Sequence, residues 1–283
     1  MGLTLSAINR FPVKSCRGHA LERALVEPWG LAGDRRWLVV DDDGVLITAR
    51  EHPRMLLVTP QFAPDDGLHL TSPDAPPISV ARPVDADLVP VRVWKSELVA
   101  SLAADDAATW FSKVLGVSAR LVYLDDPTRR HPNPRFALPS DYVSFADGYP
   151  LLLATTASLN ALNDWIADGP RAHEGPLPMI RFRPNVVVSG SEPWQEDGWR
   201  RIRIGNAVFR VVKGCDRCTM TMTDADTAAR GKEPIATLAR HRRWDGETWF
   251  GMNIIPDNPG ATIAVGNDVE VLDSVPAPDG PPR

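Results

Sequence analysis

The chain has 283 residues, of which 43% are apolar and 24% charged, as in globular proteins built from one or two packed domains. Its net charge is −5 and no basic run stands out, so nucleic acid is not expected as a partner. No apolar run approaches the roughly 18 residues of a membrane span, and no secretory signal precedes the first strand. We therefore predict a cytoplasmic protein without a membrane partner.

Short strands dominate the first half of the chain, because β-branched and apolar runs alternate there with turn residues. They are predicted at Leu3–Ile8, Arg36–Val40, Val45–Thr48, Met55–Thr59, Leu68–Thr71, Val91–Trp94 and Ala119–Leu124. Gly44 is predicted to close a hairpin turn with the three aspartates before it. A helix is predicted over residues 105–116, with Asp105 or Asp106 as its N-cap and Gly116 at its end. This spacing of strands is typical of a barrel or a sandwich.

The second half begins with a proline-rich loop at residues 125–141, which we interpret as a domain boundary or part of an active site. Helices are predicted at Ala157–Ile166, with Thr155 or Thr156 as N-cap, and at Ile235–Trp244. Further strands are predicted at Leu151–Ala154, Asn185–Val188, Arg201–Ile204, Val208–Val212, Met252–Ile255, Thr262–Val265 and Val269–Leu272. Together these elements predict a strand-dominated α+β fold with a few short helices.

The three cysteines, Cys16, Cys215 and Cys218, are too few and too unevenly spaced for a disulfide framework. Cys215 and Cys218 form a C-x-x-C motif, but structural zinc needs four ligands and no histidine pair completes the set. A thioredoxin-type dithiol should open a helix, whereas a strand is expected after Cys218. Arg217 favours a third interpretation, since a nearby cation stabilises the thiolate that binds a soft metal. Two buried, inert cysteines explain the spacing alone equally well.

Three other stretches carry basic residues that could hold an anion. Lys14 and Ser15 lie in a turn bounded by proline and glycine, although a lysine after a strand is more often solvated. Arg35 belongs to an arginine pair whose members point to opposite faces of a strand, so one of them needs an internal partner. Arg183 and Asn185 precede a β-branched run, where an ordinary strand edge is the alternative. No G-x-S-x-G, P-loop or G-x-G-x-x-G motif occurs, which weighs against hydrolases, nucleoside triphosphatases and dinucleotide-binding enzymes.

Taken in order, these stretches resemble one family. They read F-P-V-K-S-C-R-G, G-L-A-G-D-R-R-W, R-F-R-P-N-V-V-V and C-D-R-C, followed by F-G-M-N and P-G-x-T-I-x-V-G-x-D-V. The series resembles MOSC proteins with an N-terminal MOSC β-barrel domain, the group of the mitochondrial amidoxime-reducing components, over roughly residues 3–272. The resemblance implies a MOSC β-barrel packed with an N-terminal β-barrel-like domain. Its boundaries would be 1–120 and 121–273, with a disordered tail at 274–283.

The resemblance also implies a function and a site. Cys218 would be the molybdenum ligand and the catalytic residue. The molybdopterin of the cofactor would be held by Lys14, Ser15, Arg35, Thr156, Arg183, Asn185 and Arg217. The implied reaction reduces small N-hydroxylated substrates, N–OH to N–H plus water, with electrons from an external flavin or iron–sulfur donor. The alternative is a sulfur-carrier or molybdenum-cofactor-handling protein, as in the C-terminal domain of molybdenum-cofactor sulfurases. A third is a non-catalytic protein with vestigial motifs.

Overall fold

A computed structural model describes residues 2–64, 66–277, 280 and 282. The strands are β1 (Leu3–Arg10), β2 (His19–Leu21), β3 (Arg23–Glu27), β4 (Gly30–Leu31), β5 (Trp37–Val40), β6 (Thr59–Phe62), β7 (Leu68–Ser72), β8 (Ala75–Val80), β9 (Leu88–Val93), β10 (Ser96–Leu102), β11 (Arg120–Tyr123), β12 (Leu151–Thr155), β13 (Val186–Ser189), β14 (Trp199–Ile204), β15 (Ala207–Asp216), β16 (Arg243–Trp244), β17 (Glu247–Pro256), β18 (Thr262–Ala264) and β19 (Asp268–Ser274). The α-helices are α1 (Asp105–Leu115), α2 (Thr156–Ala167) and α3 (Ile235–His241). The predicted strand-dominated α+β class is confirmed. No helix in these described ranges is long and apolar enough to cross a membrane.

Seven strands close into a barrel in the order β12-β13-β1-β19-β14-β15-β17, and β17 pairs back with β12. Neighbours are antiparallel except β12 and β13, which run parallel with α2 as the crossover between them. Closure leaves no free sheet edge among these seven strands. Apolar side chains fill the interior, among them Leu5, Val188, Ile202, Phe209 and Ile254. Strand β1 is thus part of this barrel, where it lies between β13 and β19.

The other half of the molecule is the second, barrel-like part of the predicted fold, built from β5 to β11 and α1. A four-stranded sheet, β5-β11-β10-β9, and a three-stranded sheet, β6-β7-β8, pack with α1 around an apolar core. The buried face of α1 consists of Ala107, Trp110, Phe111 and Val114. Gly116 ends the helix in the left-handed conformation, as predicted, with its N–H bonded to the Ser112 carbonyl.

Several predicted elements differ in their details. Ala104, not an aspartate, occupies the N-cap of α1; Asp105 and Asp106 lie in its first turn, where their charges favour the helix dipole. Residues 45–48 make only isolated bridges instead of a strand. Pro53–Leu57 is a 3₁₀ turn where the strand Met55–Thr59 was predicted, because proline at its start suits helical backbone. The helix predicted to reach Trp244 ends at His241, since the next residues pair with β17. Positions 278, 279, 281 and 283 of the predicted tail lie outside the described residues.

A buried polar cluster fixes the start of α2. Thr155, one of the two predicted N-caps, accepts a hydrogen bond from the Ser158 backbone N–H (3.2 Å). The hydroxyls of Thr155 and Ser158 both donate to Glu196 Oε2, at 3.1 and 2.9 Å. The Glu196 side chain is fully buried, and this burial, with the neighbouring charge of Asp197, raises the pKa of Glu196 to about 7. Near neutral pH a carboxyl group therefore keeps a proton inside the protein.

We expect the free energy of unfolding to fall as pH rises from about 5 to 7. In this range native Glu196 retains a proton that the unfolded chain, with a pKa near 4.5, has released, so stability decreases with pH. Glu196→Gln keeps a neutral acceptor and should remove up to about 3 kcal/mol of this dependence. Urea unfolding at pH 5 and pH 7.5 measures it, with the exposed Glu192→Gln as control. The same pH dependence in Glu196→Gln as in wild type would contradict this assignment.

Candidate active site

A cavity of about 420 Å³ lies where the two halves of the molecule meet. Its described wall carries seven basic side chains, from Lys14, Arg35, Arg50, Arg181, Arg183, Lys213 and Arg217. Only two acidic side chains, Asp147 and Asp216, face them. The chain as a whole is negative, so the cavity reverses the overall sign of charge. Such a focused positive potential attracts anionic ligands.

The structure brings together seven of the eight residues predicted for the site. Lys14, Ser15, Arg35, Arg183, Asn185, Arg217 and Cys218 all line the cavity. Thr156 does not: it is the first residue of α2, beside the buried cluster around Glu196. The segments that carry the seven residues follow β1, precede β5 and β13, and leave β15. Distant parts of the chain therefore converge because the ends of three barrel strands, β1, β13 and β15, meet the start of β5 at the same cavity.

The buried Lys14 forms an ion pair with the exposed Asp147 on one side of the cavity. Its Nζ donates to the Phe145 carbonyl (2.8 Å) and to Asp147 Oδ1 (2.5 Å). Burial lowers the pKa of Lys14 to about 8 although Asp147 opposes the change. The Asp147 side chain is 64% exposed, yet protein surrounds the cavity into which it opens. Desolvation would raise the pKa of Asp147, but the charge and hydrogen bond of Lys14 hold it well below its usual range.

Arg35 and Arg183 pack against the same aromatic ring. Their guanidinium carbons lie 4.4 and 4.1 Å from the ring centroid of Phe11. Arg35 donates to Asp34 (2.6 Å) and to Asn185 Oδ1 (2.9 Å). Arg183 has no carboxylate in hydrogen-bond contact: its Nη1 donates to the Cys16 carbonyl (2.7 Å), and its buried Nη2 has no partner in the described structure. Burial, followed by repulsion from Arg35, lowers the pKa of Arg183 to about 9.

Asn185 positions other groups. Its Oδ1 accepts from Arg35 and from the Leu152 N–H (3.2 Å), and its Nδ2 donates to the Asn9 carbonyl (3.2 Å). Because both lone pairs of the amide oxygen are engaged, Asn185 has little capacity left for a ligand. It joins β1, β12 and β13 and aims Arg35 at the cavity.

Backbone strain is concentrated at this site. Ser15, Arg35, Trp94 and Arg183 line the cavity with φ values of 67°, 47°, 56° and 55°. Such left-handed conformations are uncommon for residues other than glycine, asparagine and aspartate. They persist where the surrounding structure imposes them, and they cluster at functional sites.

The C-x-x-C motif turns along the cavity wall, and our expectation of a strand after Cys218 was wrong. Arg217 donates to Cys215 Sγ (2.8 Å) and to the Phe182 carbonyl (2.8 Å), so its guanidinium contacts Cys215 instead of Cys218. Burial nevertheless raises the pKa of Cys215. The residues after Cys218 form a 3₁₀ turn, Thr219–Met222, where a strand was expected. All three cysteines are free thiols, and no group of three or more His, Cys, Asp or Glu side chains suited to a metal occurs among the described residues.

The proline-rich loop at residues 125–141 contributes to the cavity, in agreement with its interpretation as part of an active site. Asn133 lines the cavity, and the buried Arg130 supports the segment that carries Ala146 and Asp147, which also line it. Its guanidinium donates to the carbonyls of Ser144 and Ala146 (2.6 Å each) and of Asp147 (2.8 Å). Four further wall residues could not be predicted from the sequence, because no local pattern marks Arg50, Trp94, Asp147 or Tyr149.

Comparison with known proteins finds two domain families in this chain. Residues 2–118 match the MOSC N-terminal beta barrel domain, and residues 140–270 match the MOSC domain. Mitochondrial amidoxime-reducing component 1 of Mus musculus is 31% identical over 95% of this chain and 82% of the mouse protein. Its counterpart in Homo sapiens is 31% identical over 95% of this chain and 83% of the human protein. A molybdenum cofactor sulfurase of Oryza sativa subsp. japonica is 32% identical over 88% of this chain but only 32% of its own length.

Proposed function

We propose that this chain, which belongs to the family of MOSC-domain proteins with an N-terminal MOSC β-barrel domain, binds a molybdenum cofactor and reduces N-hydroxylated compounds. One observation carries the proposal: a single cavity combines the Cys218 thiol with an excess of basic side chains. The similarity to amidoxime-reducing components supports the choice of reaction.

The residues of the cavity fit a molybdopterin. Three buried guanidinium nitrogens on its wall, Arg181 Nε, Arg183 Nη2 and Arg217 Nε, have no hydrogen-bond partner in the described structure. A buried donor without a partner is costly, and phosphate oxygens would supply charged acceptors. Lys14, Ser15, Arg35 and Arg183 would hold the phosphate, and we call these four residues together with Arg217 the basic clamp. The Cys218 thiolate would bind molybdenum as a soft ligand. We expect Arg217 to act near the same group from its place beside Cys215.

When bound, the cofactor supplies a two-electron redox centre. Reduction of N–OH to N–H and water consumes two electrons and two protons, so protonated groups near the substrate are needed as well as electrons. The ammonium of Lys14 carries one at neutral pH, and Asp147 keeps that group in place. Burial, followed by the charge of Asp216, raises the pKa of Tyr149 to about 12, so its phenol retains a proton as well. The electrons would come from an external flavin or iron–sulfur protein.

A handling role for the cofactor is the second candidate. The similarity to the rice molybdenum cofactor sulfurase favours it, and a chain that only carries cofactor or sulfur would use the same clamp. The two candidates differ in how the cofactor leaves: a carrier releases it to an acceptor protein, whereas an enzyme retains it through many turnovers.

The test is to produce the protein in cells with an active cofactor pathway and to measure molybdenum and pterin. We expect nearly stoichiometric cofactor, and turnover of an amidoxime with a chemically reduced viologen as electron source. Loaded protein that reduces neither amidoximes nor hydroxylamines would contradict the reductase. Rapid transfer of the cofactor to a cofactor-free molybdoenzyme would favour the handling role.

A further inference from the structure

Trp94 occupies an unusual place for a large aromatic residue. It is the first of two residues in the turn between β9 and β10, where Val93 pairs with Ser96. Its φ is 56°, a conformation that two-residue hairpin turns normally give to glycine or asparagine. A tryptophan there conflicts with local backbone preference, and such conflicts are expected where a side chain has a function.

The side chain of Trp94 lies on the cavity, with 37% of the residue exposed. The other large apolar side chains exposed in the described ranges are aliphatic. The indole N–H donates to Asp147 Oδ1 (3.3 Å), and the Arg50 guanidinium lies 4.4 Å from the ring centroid. These two contacts hold the ring in one orientation while part of its surface stays open to the cavity.

Trp94 lies beside the basic clamp, on its solvent side. Lys14 Nζ is 5.7 Å from the centroid of the ring, and Lys14 is 5% exposed whereas Trp94 is 37% exposed. A cofactor held by the clamp would fill the inner part of the cavity, and a substrate entering from solvent would then meet Trp94. The N-terminal half of the molecule thus supplies an aromatic surface at the entrance of a site whose proposed metal ligand lies in the other half.

We propose that Trp94 determines substrate specificity by favouring flat aromatic N-hydroxylated compounds over aliphatic ones. The inference rests on the proposed function of the cavity. An aromatic ring offers an offset or edge-on contact to another ring, and such pairs add binding beyond simple burial of area. An aliphatic substrate with the same N–OH group gains none of this contact.

The test compares benzamidoxime with acetamidoxime, which share the reacting group and differ in the ring. In Trp94→Asn we expect the ratio of their kcat/KM values to fall about threefold to tenfold, mainly through the KM of benzamidoxime. Asparagine suits the left-handed backbone, so this variant should fold at least as stably as wild type. Trp94→Phe should keep the ratio within about twofold. Trp29→Leu, outside the cavity, is the matched control and should leave it unchanged.

Binding measured without reductant separates this inference from the proposed function. Oxidised, cofactor-loaded protein cannot turn over, so calorimetry reports affinity alone; benzamidoxime should bind Trp94→Asn about threefold to tenfold more weakly, and acetamidoxime unchanged. If wild type reduces neither compound, the proposed function fails, and the calorimetric ratio still decides the role of Trp94. Equal losses for both substrates, or an unchanged ratio, would overturn the inference and leave Trp94 as a cover for the Lys14–Asp147 pair.

Discussion

Replacing Cys218 with alanine is expected to remove molybdenum from the protein and to abolish reduction of N-hydroxylated substrates. The proposed centre has one protein ligand, so no second side chain compensates for its loss. Changes to residues that merely support a metal ligand lower affinity about tenfold to a hundredfold, and loss of the ligand itself should lower occupancy at least a hundredfold. Metal analysis of protein purified from the same cofactor-producing cells measures the change.

Cys215→Ala is the matched control for this substitution. Cys215 lies on the same cavity and accepts a hydrogen bond from Arg217, so its removal disturbs the clamp without removing the proposed ligand. We expect most of the molybdenum to remain, with a modest loss of pterin affinity. Metal retained in Cys218→Ala and lost in Cys215→Ala would assign the ligand to Cys215. Absence of metal from wild type as well would favour the handling role.

Arg183→Met should produce the second largest effect, a loss of cofactor binding with little change in stability. The arginine is half-buried beside Arg35, and its buried Nη2 has no partner in the described structure, a cost to the cofactor-free protein that an anionic ligand would offset. Methionine removes that cost and loses about 1 kcal/mol from the hydrogen bond to the Cys16 carbonyl. We therefore expect cofactor content to fall at least about tenfold, as for a lost charged contact. Cofactor-free stability should stay within about 1 kcal/mol of wild type.

Pterin analysis and urea unfolding of the cofactor-free proteins test both halves of this expectation. Arg203→Met serves as control, since Arg203 is 46% exposed and pairs with Glu270 away from the cavity. A large loss of stability with normal cofactor content would show that Arg183 is a structural residue. Wild-type cofactor content together with wild-type stability would show that Arg183 does not belong to the basic clamp.

The fold class was predictable because most barrel strands are long enough to show their β-branched pattern. Strands β2 and β4 have three and two residues, so pairing with neighbours, and not composition, creates them. The 3₁₀ turn at Thr219–Met222 also runs against composition. Its threonines favour strands, but the hydroxyl of Thr221 donates to the Cys218 carbonyl (2.9 Å) and closes a turn.

The site was predictable where several of its residues share one short motif, and much less so elsewhere. Asp147 meets Lys14 across 133 positions, and Trp94 reaches the cavity from a hairpin in the other half of the molecule. No local signal records such contacts. Arg217 shows the opposite limit: it adjoins Cys218 in sequence but bonds to Cys215, because neighbouring side chains in extended backbone point in opposite directions.

The position of β1 also governs the order in which the molecule can assemble. Leu3 of β1 pairs with Val269 of β19, so the barrel depends on contact between strands that nearly the whole chain separates. On the ribosome β1 emerges well before its barrel partners β13 and β19, which are synthesised only after the intervening N-terminal unit. That unit has its own core and is free to fold early, whereas the pairing of β1 with β19 must wait for loop closure over more than 250 residues, and such non-local pairings form slowly. Until then β1 can pair only with the short strand β2, and its remaining, partly apolar edge makes the nascent chain more prone to aggregation than the finished barrel.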